Sequence, residues 1–532
     1  MIPNRRFLLF ALAALACARS AHAQGAAGII SPAQKSVLAS ITGSELKGDL
    51  SFLASDALEG RYTPSSGLDV AAEFIASRFR AAGLKPGGGQ DYFQVAHMVD
   101  RSMPKLPTPL TAQSKEGSFQ AAPESMLLFN ASQAGKIDRA PVVVFAAPDL
   151  DALNRADVAG KAVVVRQPSF EKMNQDEVVS AYQKMIAFTR QVNRANATVE
   201  IIATPQLVPS NGRLLTADAA AAKATPVVLV RNEHLTSWFD HPAEAHGWTL
   251  SLEIPAPQDR PAVVKNVIGI LPGSEPSLKH TAVLLTAHYD HIGTTDTAGR
   301  MALTPKDVTE DHIYNGANDD GSGAVSVIAI ARALANWKPR PKRSIVFMTF
   351  FGEERGELGS KFYGEHPVFP ISDTVADINL EQIGRTDEIR DGKPAPQVNA
   401  ASLTGFDYSD VTDYLVRAGK QLGISVFKDP EASDLYFTRS DNDALAQQGV
   451  PAHTICVAFD YPDYHGLGDE WQKIDYANMA RVDRMIALAL INLADSANAP
   501  HWNASNPKTA PFRQAQQKWK AGSPVVADQT AQ

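Results

Sequence analysis

The sequence has only two cysteines among 532 residues, Cys17 and Cys456. Cys17 lies in an N-terminal segment that we expect to be removed, so no internal disulfide can stabilise the rest of the chain. Beyond that segment there is no run of about 18 apolar residues, which argues against a transmembrane helix. The chain also has no excess of basic residues: its formal net charge is −8. This balance argues against nucleic acid as a partner.

The N-terminal segment has the pattern of an export signal. Arg5 and Arg6 precede the apolar stretch FLLFALAALA, and AHA at 21–23 fits a small-residue cleavage site. We therefore predict cleavage near Ala23 and a periplasmic or secreted location. Lipid attachment at Cys17 is the alternative that the sequence favours less, because Ala14 stands three positions before it where Leu is usual.

The chain is too long for one ordinary core, and its 44% hydrophobic and 20% charged residues are typical of globular proteins. Between about 112 and 258 the sequence pattern changes to short strand-like segments such as KAVVVR, which are separated by polar or Ala-rich segments. We interpret this stretch as an inserted domain. The expected organisation is a signal peptide at 1–23, the first part of the main domain at 24–111, a smaller β-rich insert at 112–258, the catalytic part at 259–498 and a flexible tail at 499–532.

After residue 262 strand-like and helix-like segments alternate, which is typical of an α/β fold with a mostly parallel central sheet flanked by helices. An amphipathic helix is also predicted at 67–86, before the insert. The segment SGAVSVIAIARALANW at 322–337 predicts another helix. The predicted strands of the main domain are VIGIL (267–271), TAVLLTA (281–287), SIVFMTF (344–350), VADINL (375–380) and HTICVAF (453–459).

Histidines and carboxylates recur just after these strands. Because sites in such sheets form at the carboxyl ends of strands, we expect these side chains to meet. Two His and three carboxylates form a plausible dinuclear zinc set, with one carboxylate shared between the metals. The segments are TAHYDHIG with His288, Asp290 and His291, NGANDDGSG with Asp319 and Asp320, GEE with Glu353 and Glu354, NLEQIGR with Glu381, and DYHGLGDE with His465.

Each of these residues also has an ordinary structural interpretation. Asp319 and Asp320 precede a predicted helix and would suit its N-terminus. A single His after a strand is more often hydrogen-bonded than metal-bound. The HxD pair differs, since His288 and Asp290 would share one face of a strand. A carboxylate beside a ligand His is the usual arrangement around zinc.

The motifs together resemble the dinuclear zinc exopeptidases that include bacterial leucyl aminopeptidases and glutamate carboxypeptidases. The resemblance covers most of 50–100 and 262–495, in the family's order. The insert resembles, more faintly, a protease-associated domain. The matching stretches of the main domain are FLASDALEGRYTPSSGLDVAAEFIASRF, AHYDH, GANDDGSG, FFGEERGELGS, NLEQIGR, RSDNDALAQQGVPA and DYHGLGDEWQKIDY.

The resemblance implies two zinc ions per chain. Asp319 would bridge them, His288 and Glu381 would complete one site, and Glu354 and His465 the other. The family usually has Asp where this chain has Glu381, which leaves the metal distance and denticity open.

The resemblance also assigns the residues that act on the substrate. Glu353 would be the general base, Asp290 would orient His288, and Tyr464 would donate to the oxyanion. Tyr464 has an alternative interpretation as an ordinary packed tyrosine.

The implied function is a zinc aminopeptidase acting on peptides. A carboxypeptidase or dipeptidase of the same fold is the alternative. Two readings are less favoured: a glutaminyl cyclase, because all five ligand positions are filled, and a non-catalytic receptor-like relative, because the base Glu353 is present. The sequence leaves open the peptide end, the preferred side chain, the role of the insert and the oligomeric state.

Overall fold

The computed structural model describes residues 30–520, except 171–172, 174, 208–211, 300, 303–310 and 391. The expected export signal, with Cys17 and Ala23, therefore lies outside the described residues. The described chain forms one ten-stranded mixed sheet flanked by helices and a second, eight-stranded sheet. This confirms the predicted α/β class with a smaller inserted sheet.

The ten-stranded sheet is the frame of the main domain. The strand Lys85–Pro86 pairs beside the long strand Gln258–Leu271, outside the main path. From one edge to the other, the remaining strands are Ser425–Phe427, Ala400–Leu403, Ala452–Cys456, Thr374–Glu381, Ala282–His288, Ser344–Phe350, Gln258–Leu271, Phe93–Ser102 and Arg213–Thr216.

The central strands are buried on both faces, as their continuous apolar sequences predict. In the strand Ala282–His288, Val283 and Leu285 join one hydrophobic core, whereas Ala282 and Leu284 join the core on the other face. This alternation follows from the two-residue period of a strand. The two cores explain why helices are needed on both sides of the sheet.

Four central strands run parallel, and this fixes where the site forms. Ala282–His288 pairs in parallel with Ser344–Phe350 and with Thr374–Glu381, which pairs in parallel with Ala452–Cys456. The carboxyl ends of these strands therefore meet at one edge. Beyond Ser344–Phe350 the pairings are antiparallel, so the mostly parallel arrangement describes the centre of the sheet and not its flank.

The helices follow the predicted amphipathic patterns. The helix Ser66–Ala81 begins where the Ser65 side chain accepts a hydrogen bond from the Leu68 N–H, and it buries Ile75 and Phe79. It ends before the predicted limit at 86, because Gly83 takes a left-handed conformation. The main-domain helices are Pro32–Ala39, Gly43–Leu53, Ser66–Ala81, Gly323–Ala335, Leu358–Glu365, Val411–Leu422, Ala432–Leu435, Asn442–Gln447, Tyr476–Asp495 and Ala510–Lys520.

The insert has its own sheet and its own hydrophobic cores. Three of its neighbouring pairings are parallel, and the rest are antiparallel. Its helices are Leu150–Arg155, Gln175–Arg194 and Glu233–Asp240, whereas the short helix Ala217–Ala221 packs on the edge of the ten-stranded sheet. In order across the sheet, its strands are Ser118–Ala121, Leu110–Gln113, Thr249–Ile254, Gly135–Phe145, Ala162–Arg166, Val199–Ala203, Val227–Val230 and Met126–Asn130.

One segment inside the predicted insert belongs to the main sheet. The strand Arg213–Thr216 pairs antiparallel with Phe93–Ser102 at the edge of the ten-stranded sheet. This return could not be predicted from the sequence, because the strand is only four residues long.

The C-terminal segment differs from the expected flexible tail over its described part, 499–520. It contains the helix Ala510–Lys520, and Trp502 and Phe512 are buried against the core of the main domain. The two rings stack with centroids 5.0 Å apart. Their apolar area outweighs the polar composition that suggested flexibility. Residues 521–532 lie outside the described part.

Candidate metal centre

The predicted ligand residues converge at the carboxyl edge of the parallel strands. His288 and Glu381 are the last residues of adjacent strands, Ala282–His288 and Thr374–Glu381. Nε2 of His288 lies 3.3 Å from Oε1 of Glu381 and 3.3 Å from Oδ1 of Asp319. The three residues can hold one metal ion, because their ligand atoms all lie within 4.8 Å of one another.

A second set meets on the other side of Asp319. Nε2 of His465 lies 3.2 Å from Oδ2 of Asp319 and 3.3 Å from Oε2 of Glu354. Asp319 therefore turns one oxygen towards His288 and the other towards His465. A carboxylate in this position can bridge two metal ions.

The donor set fits zinc. Ligand atoms in tetrahedral coordination at the usual zinc distances are about 3.3 Å apart, close to the separations observed here. The same cleft also holds Glu353, so four carboxylates surround His288 and His465 with little solvent. Such a concentration of negative charge is costly unless cations compensate it. His288, Glu381, Asp319, Glu354 and His465 are the residues that would hold the ions.

The loop that carries Asp319 is held by a buried acid that sequence reasoning did not assign. The Asp469 carboxylate accepts hydrogen bonds from the backbone N–H groups of Asn318 (3.0 Å) and Asp319 (3.1 Å). The Tyr461 hydroxyl donates to the same carboxylate at 3.0 Å. Asp469 lies in the quoted motif DYHGLGDE, but nothing in the spacing shows that it reaches the Asp319 loop.

The two adjacent glutamates reach different parts of the centre. Gly352 has φ +67°, a conformation that favours glycine, and it turns the chain directly before them. Oε2 of Glu354 faces His465, whereas Oε2 of Glu353 lies 4.0 Å from Nε2 of His288. The turn thus separates the proposed ligand from the proposed base.

Asp290 contacts both His288 and the glutamate loop. Nδ1 of His288 lies 3.2 Å from the backbone carbonyl of Asp290 and 3.6 Å from its Oδ1. The Asp290 carboxylate also accepts hydrogen bonds from the Glu353 N–H (3.1 Å) and the Thr63 hydroxyl (3.0 Å). Its backbone carbonyl is therefore the closer partner of the imidazole, and its carboxylate links the two loops.

The electrostatics of the centre separate the two glutamates. Burial, together with the charges of Glu381 and Glu354, raises the pKa of Glu353 well above its usual range, against the effect of His288. Burial acts in the same direction on Glu354, but the charge of His465 outweighs it and lowers the pKa of Glu354 to about 2. A carboxyl group that holds its proton strongly suits a base, and an ionised one suits a ligand.

The histidines respond to the same carboxylates. Burial lowers the pKa of His288, but the charge of Glu381 and hydrogen bonds to Asp290 and Asp319 outweigh it and raise the pKa well above the usual value. The pKa of Asp319 falls well below its usual range, because hydrogen bonds from His288 and His465 outweigh its burial. The metal ligands therefore attract positive charge, whether it is a proton or a metal ion.

Tyr464 lines the cleft beside these residues. Its ring stacks on that of His465, with centroids 4.1 Å apart. Glu353, Tyr436, Arg439 and Phe459 line the same cleft. Burial raises the pKa of the Tyr464 hydroxyl, so it remains a donor at neutral pH.

Arg61 is a second residue that sequence reasoning missed. It is fully buried, and its guanidinium donates to the backbone carbonyls of Tyr289 (2.8 Å), Asn315 (2.7 Å) and Gly316 (2.8 Å). A fourth bond reaches the Leu53 carbonyl at 2.7 Å. Arg61 therefore joins the loops after His288 and before Asp319. In the sequence Arg61 lies in a stretch that resembles the zinc exopeptidases, FLASDALEGRYTPSSGLDVAAEFIASRF, but no local pattern indicates its role.

Residues 266–490 match the family model described as peptidase family M28. The match covers 225 of the 532 residues, so this part of the chain is similar to the M28 peptidases. M28 peptidases are dinuclear zinc exopeptidases, so the match confirms the resemblance that the motifs predicted and supports a zinc peptidase.

Individual relatives match this chain only in part. A probable zinc metalloprotease of Pyrenophora teres f. teres is 26% identical over 52% of this chain and 58% of its own length. A probable leucine aminopeptidase 2 of Arthroderma benhamiae is 28% identical over 34% of this chain and 39% of its own length. The chain thus spans less than two thirds of either relative.

Among solved structures, an aminopeptidase from Aneurinibacillus sp. strain AM-1 has the same fold with a TM-score of 0.58. The match covers 86% of this chain and 95% of that chain at 17% identity. Among the described residues, no helix is both long and apolar enough to cross a membrane.

Proposed function

We propose that this protein is an exported aminopeptidase of the M28 type that removes N-terminal residues from peptides at a two-zinc centre. The observation that carries the proposal is the shared carboxylate of Asp319, with Oδ1 3.3 Å from His288 and Oδ2 3.2 Å from His465. One shared ligand between two complete sets suits two ions and not one.

Zinc, when bound, would supply positive charge that polarises the peptide carbonyl and lowers the pKa of water. Glu353 would take the proton of the attacking water on its carboxylate and pass it to the leaving amine. Its high proton affinity and its position beside the ligands support this role. Asp290 holds the Glu353 backbone N–H and so fixes the base relative to His288.

Tyr464 would act on the other side of the substrate. Its hydroxyl lines the same cleft as Glu353 and keeps its proton, so it can donate to the oxygen that gains negative charge. Stacking on His465 limits the movement of its ring. His465, a proposed metal ligand, therefore holds the Tyr464 hydroxyl in position relative to the metal centre.

The negative cleft supports an aminopeptidase over the alternatives. Asp460 lines it and is neither a proposed metal ligand nor the proposed base, so its carboxylate is available to the ammonium group of a free N-terminus. A carboxypeptidase or dipeptidase of the same fold is the competing function. It would require a cation for the substrate carboxylate, and Arg439, which lines the cleft, stacks on the ring of Tyr436.

The test is a panel of peptides with free, acetylated and amidated ends, assayed with the zinc-loaded protein. We expect cleavage of peptides with a free N-terminus, including those with an amidated C-terminus, and no cleavage after N-acetylation. Cleavage of N-acetylated peptides from a free carboxyl end would replace the proposal with a carboxypeptidase. Cleavage of dipeptides alone would indicate a dipeptidase.

Export and the role of the insert complete the proposal. The Arg-apolar-AHA pattern of residues 1–23 supports cleavage near Ala23 and release to the periplasm or medium. N-terminal sequencing of protein recovered from the producing cell would reveal a start near Gln24 if this is correct. The insert, which we propose to be protease-associated-like, contributes none of the five ligand candidates.

A further inference from the structure

His291 follows the strand Ala282–His288 by three residues and has no role in the proposed mechanism. Its side chain is completely buried. Nδ1 lies 2.8 Å from Oε1 of Glu354, but the two are not aligned as a hydrogen bond, and neither of these atoms nor Nε2 has another hydrogen-bond partner among the described residues. A buried imidazole is costly unless its polar atoms are used, so the contact with Glu354 requires an explanation.

The surroundings of His291 hold its ring in place. Gly316 has φ +55°, and a Cβ atom at that position would lie 2.3 Å from the His291 ring. The ring also meets the His465 ring edge-on, with centroids 5.5 Å apart. Glycine at 316 therefore leaves the space that His291 fills, directly beside one of the proposed ligands.

The two oxygens of Glu354 have different neighbours. Oε1 faces Nδ1 of His291, whereas Oε2 faces Nε2 of His465 at 3.3 Å. The 2.8 Å separation is a normal hydrogen-bond distance, although the angle of the pair is not yet that of a hydrogen bond. This separation is shorter than the ~3.3 Å expected between two ligands of one tetrahedral zinc. The distance thus favours a hydrogen bond that becomes aligned when zinc binds over shared coordination, although His291, Asp319 and Glu354 also have ligand atoms within 4.8 Å of one another.

We propose that His291 is a positioning residue for the second zinc, the one assigned to Glu354 and His465. In the zinc-loaded protein its Nδ1–H would donate to Oε1 of Glu354, a buried acceptor within reach that lacks another partner among the described residues, and leave Oε2 as the atom that binds the metal. The inference rests on the two-zinc centre proposed above. Partners of this kind around a ligand carboxylate typically set metal affinity. His291 would therefore determine how tightly the second ion is held, without touching the substrate.

The experiment is a zinc titration of the metal-free full chain in competition with a chelator of known affinity. Two polar variants distinguish the ring nitrogens, because the amide nitrogen of Asn lies near the position of Nδ1 and that of Gln near Nε2. We expect His291→Gln to weaken the second zinc by about 10–100-fold and His291→Asn to stay within about threefold of the unmodified protein. The affinity of the first zinc should not change in either variant.

His453 provides a matched control. It is equally buried, but its Nδ1 donates to the Thr404 carbonyl and its Nε2 contacts Ser409, away from the ligands. The variant His453→Gln should bind both zinc ions with unchanged affinity. Circular dichroism and thermal unfolding of the metal-free variants establish that each one is folded.

Three results would contradict the inference. Unchanged affinity in His291→Gln would make His291 a packing residue, and equal losses in the Asn and Gln variants would remove the role of Nδ1. With Co²⁺ as the probe, a visible spectrum in His291→Asn that shows the loss of a nitrogen ligand would make His291 a metal ligand. If the unmodified protein binds one zinc only, the two-zinc proposal itself fails, which the same titration reveals separately.

Discussion

The Ser440 hydroxyl donates a 2.7 Å hydrogen bond to Oε2 of Glu381, whose Oε1 lies 3.3 Å from Nε2 of His288. Ser440 in turn accepts a 2.8 Å hydrogen bond from the Asn379 side chain. This chain of bonds holds the glutamate that stands where the related peptidases usually have aspartate. The longer side chain therefore reaches the centre with one oxygen anchored and the other directed at the ligands.

Ser440→Ala removes the anchor and leaves the Glu381 carboxylate in place. We expect the zinc held by His288 and Glu381 to bind about 10–100-fold more weakly, because the carboxylate becomes free to rotate. Chelator competition measures this affinity. Ser402→Ala is the control, since Ser402 is also buried but bonds the Cys456 carbonyl. Equal zinc affinity in both variants would show that the hydrogen bond has no effect on the metal.

Substitutions of the two adjacent glutamates should affect zinc content and turnover differently. Glu353→Gln keeps the size of the side chain and removes the base, so zinc should remain while turnover falls by roughly 10²–10⁴. Glu354→Gln weakens a direct ligand, so zinc affinity and activity should fall together. Zinc content and turnover are measured for both, with the exposed Glu365→Gln as control. If Glu353→Gln loses zinc and Glu354→Gln keeps it, the roles of base and metal ligand are the reverse of those proposed.

Two zinc ions per chain are expected in the folded protein after mild dialysis. The reason is the pair of donor sets that share Asp319. Elemental analysis of zinc against protein concentration measures the ratio. A reproducible value of one, obtained with zinc supplied in excess, would show that only one set binds.

Arg61→Met should strongly destabilise the main domain. The substitution retains much of the volume but leaves four buried carbonyls without their donor. We expect a loss of about 3 kcal/mol or more in the free energy of unfolding. Denaturant unfolding measures it, and the exposed Arg260→Met is the control. Arg61→Lys should recover only part of the loss, because an ammonium has fewer donors. Wild-type stability in Arg61→Met would show that the carbonyls find other partners.

His453 should make stability depend on pH. Burial lowers its pKa to about 4, against about 6.5 for an unfolded histidine. Between these two pH values the unfolded chain binds more protons than the folded chain. The contribution of His453 to the free energy of unfolding is therefore complete above pH 6.5 and is lost as the pH falls towards 4. The loss amounts to about 3 kcal/mol of the free energy of unfolding.

Denaturant unfolding of the metal-free protein from pH 4 to 7 measures the effect without a contribution from zinc release. In His453→Gln the dependence on pH over this window should be shallower. An identical slope in the variant would assign the acid sensitivity to other groups.

The elements of the main domain could be predicted because their signals are local. The strand at 344–350 is a continuous apolar run, and the structure has the strand Ser344–Phe350. The ligand residues followed from the same pattern, since parallel strands end at one edge. The resemblance to a family then gave each one a role. The structure brings His288, Asp319, Glu354, Glu381 and His465 together.

The contacts that the sequence did not predict are long-range and have no local pattern. Arg61 bonds carbonyls 228 to 255 positions away, and Asp469 holds a loop 150 positions earlier. A buried arginine looks like any surface arginine in the sequence. The same holds for His291, whose contact with Glu354 depends on the space beside Gly316.

The strand Arg213–Thr216 links the insert to the main sheet by more than its two ends. The strand Phe93–Ser102 is paired on one side with Gln258–Leu271 and on the other with this segment. A single cut of the backbone between 121 and 126 would therefore not release the insert. Both fragments would remain joined through the sheet, so the molecule would migrate as one particle in native conditions and as two only after denaturation.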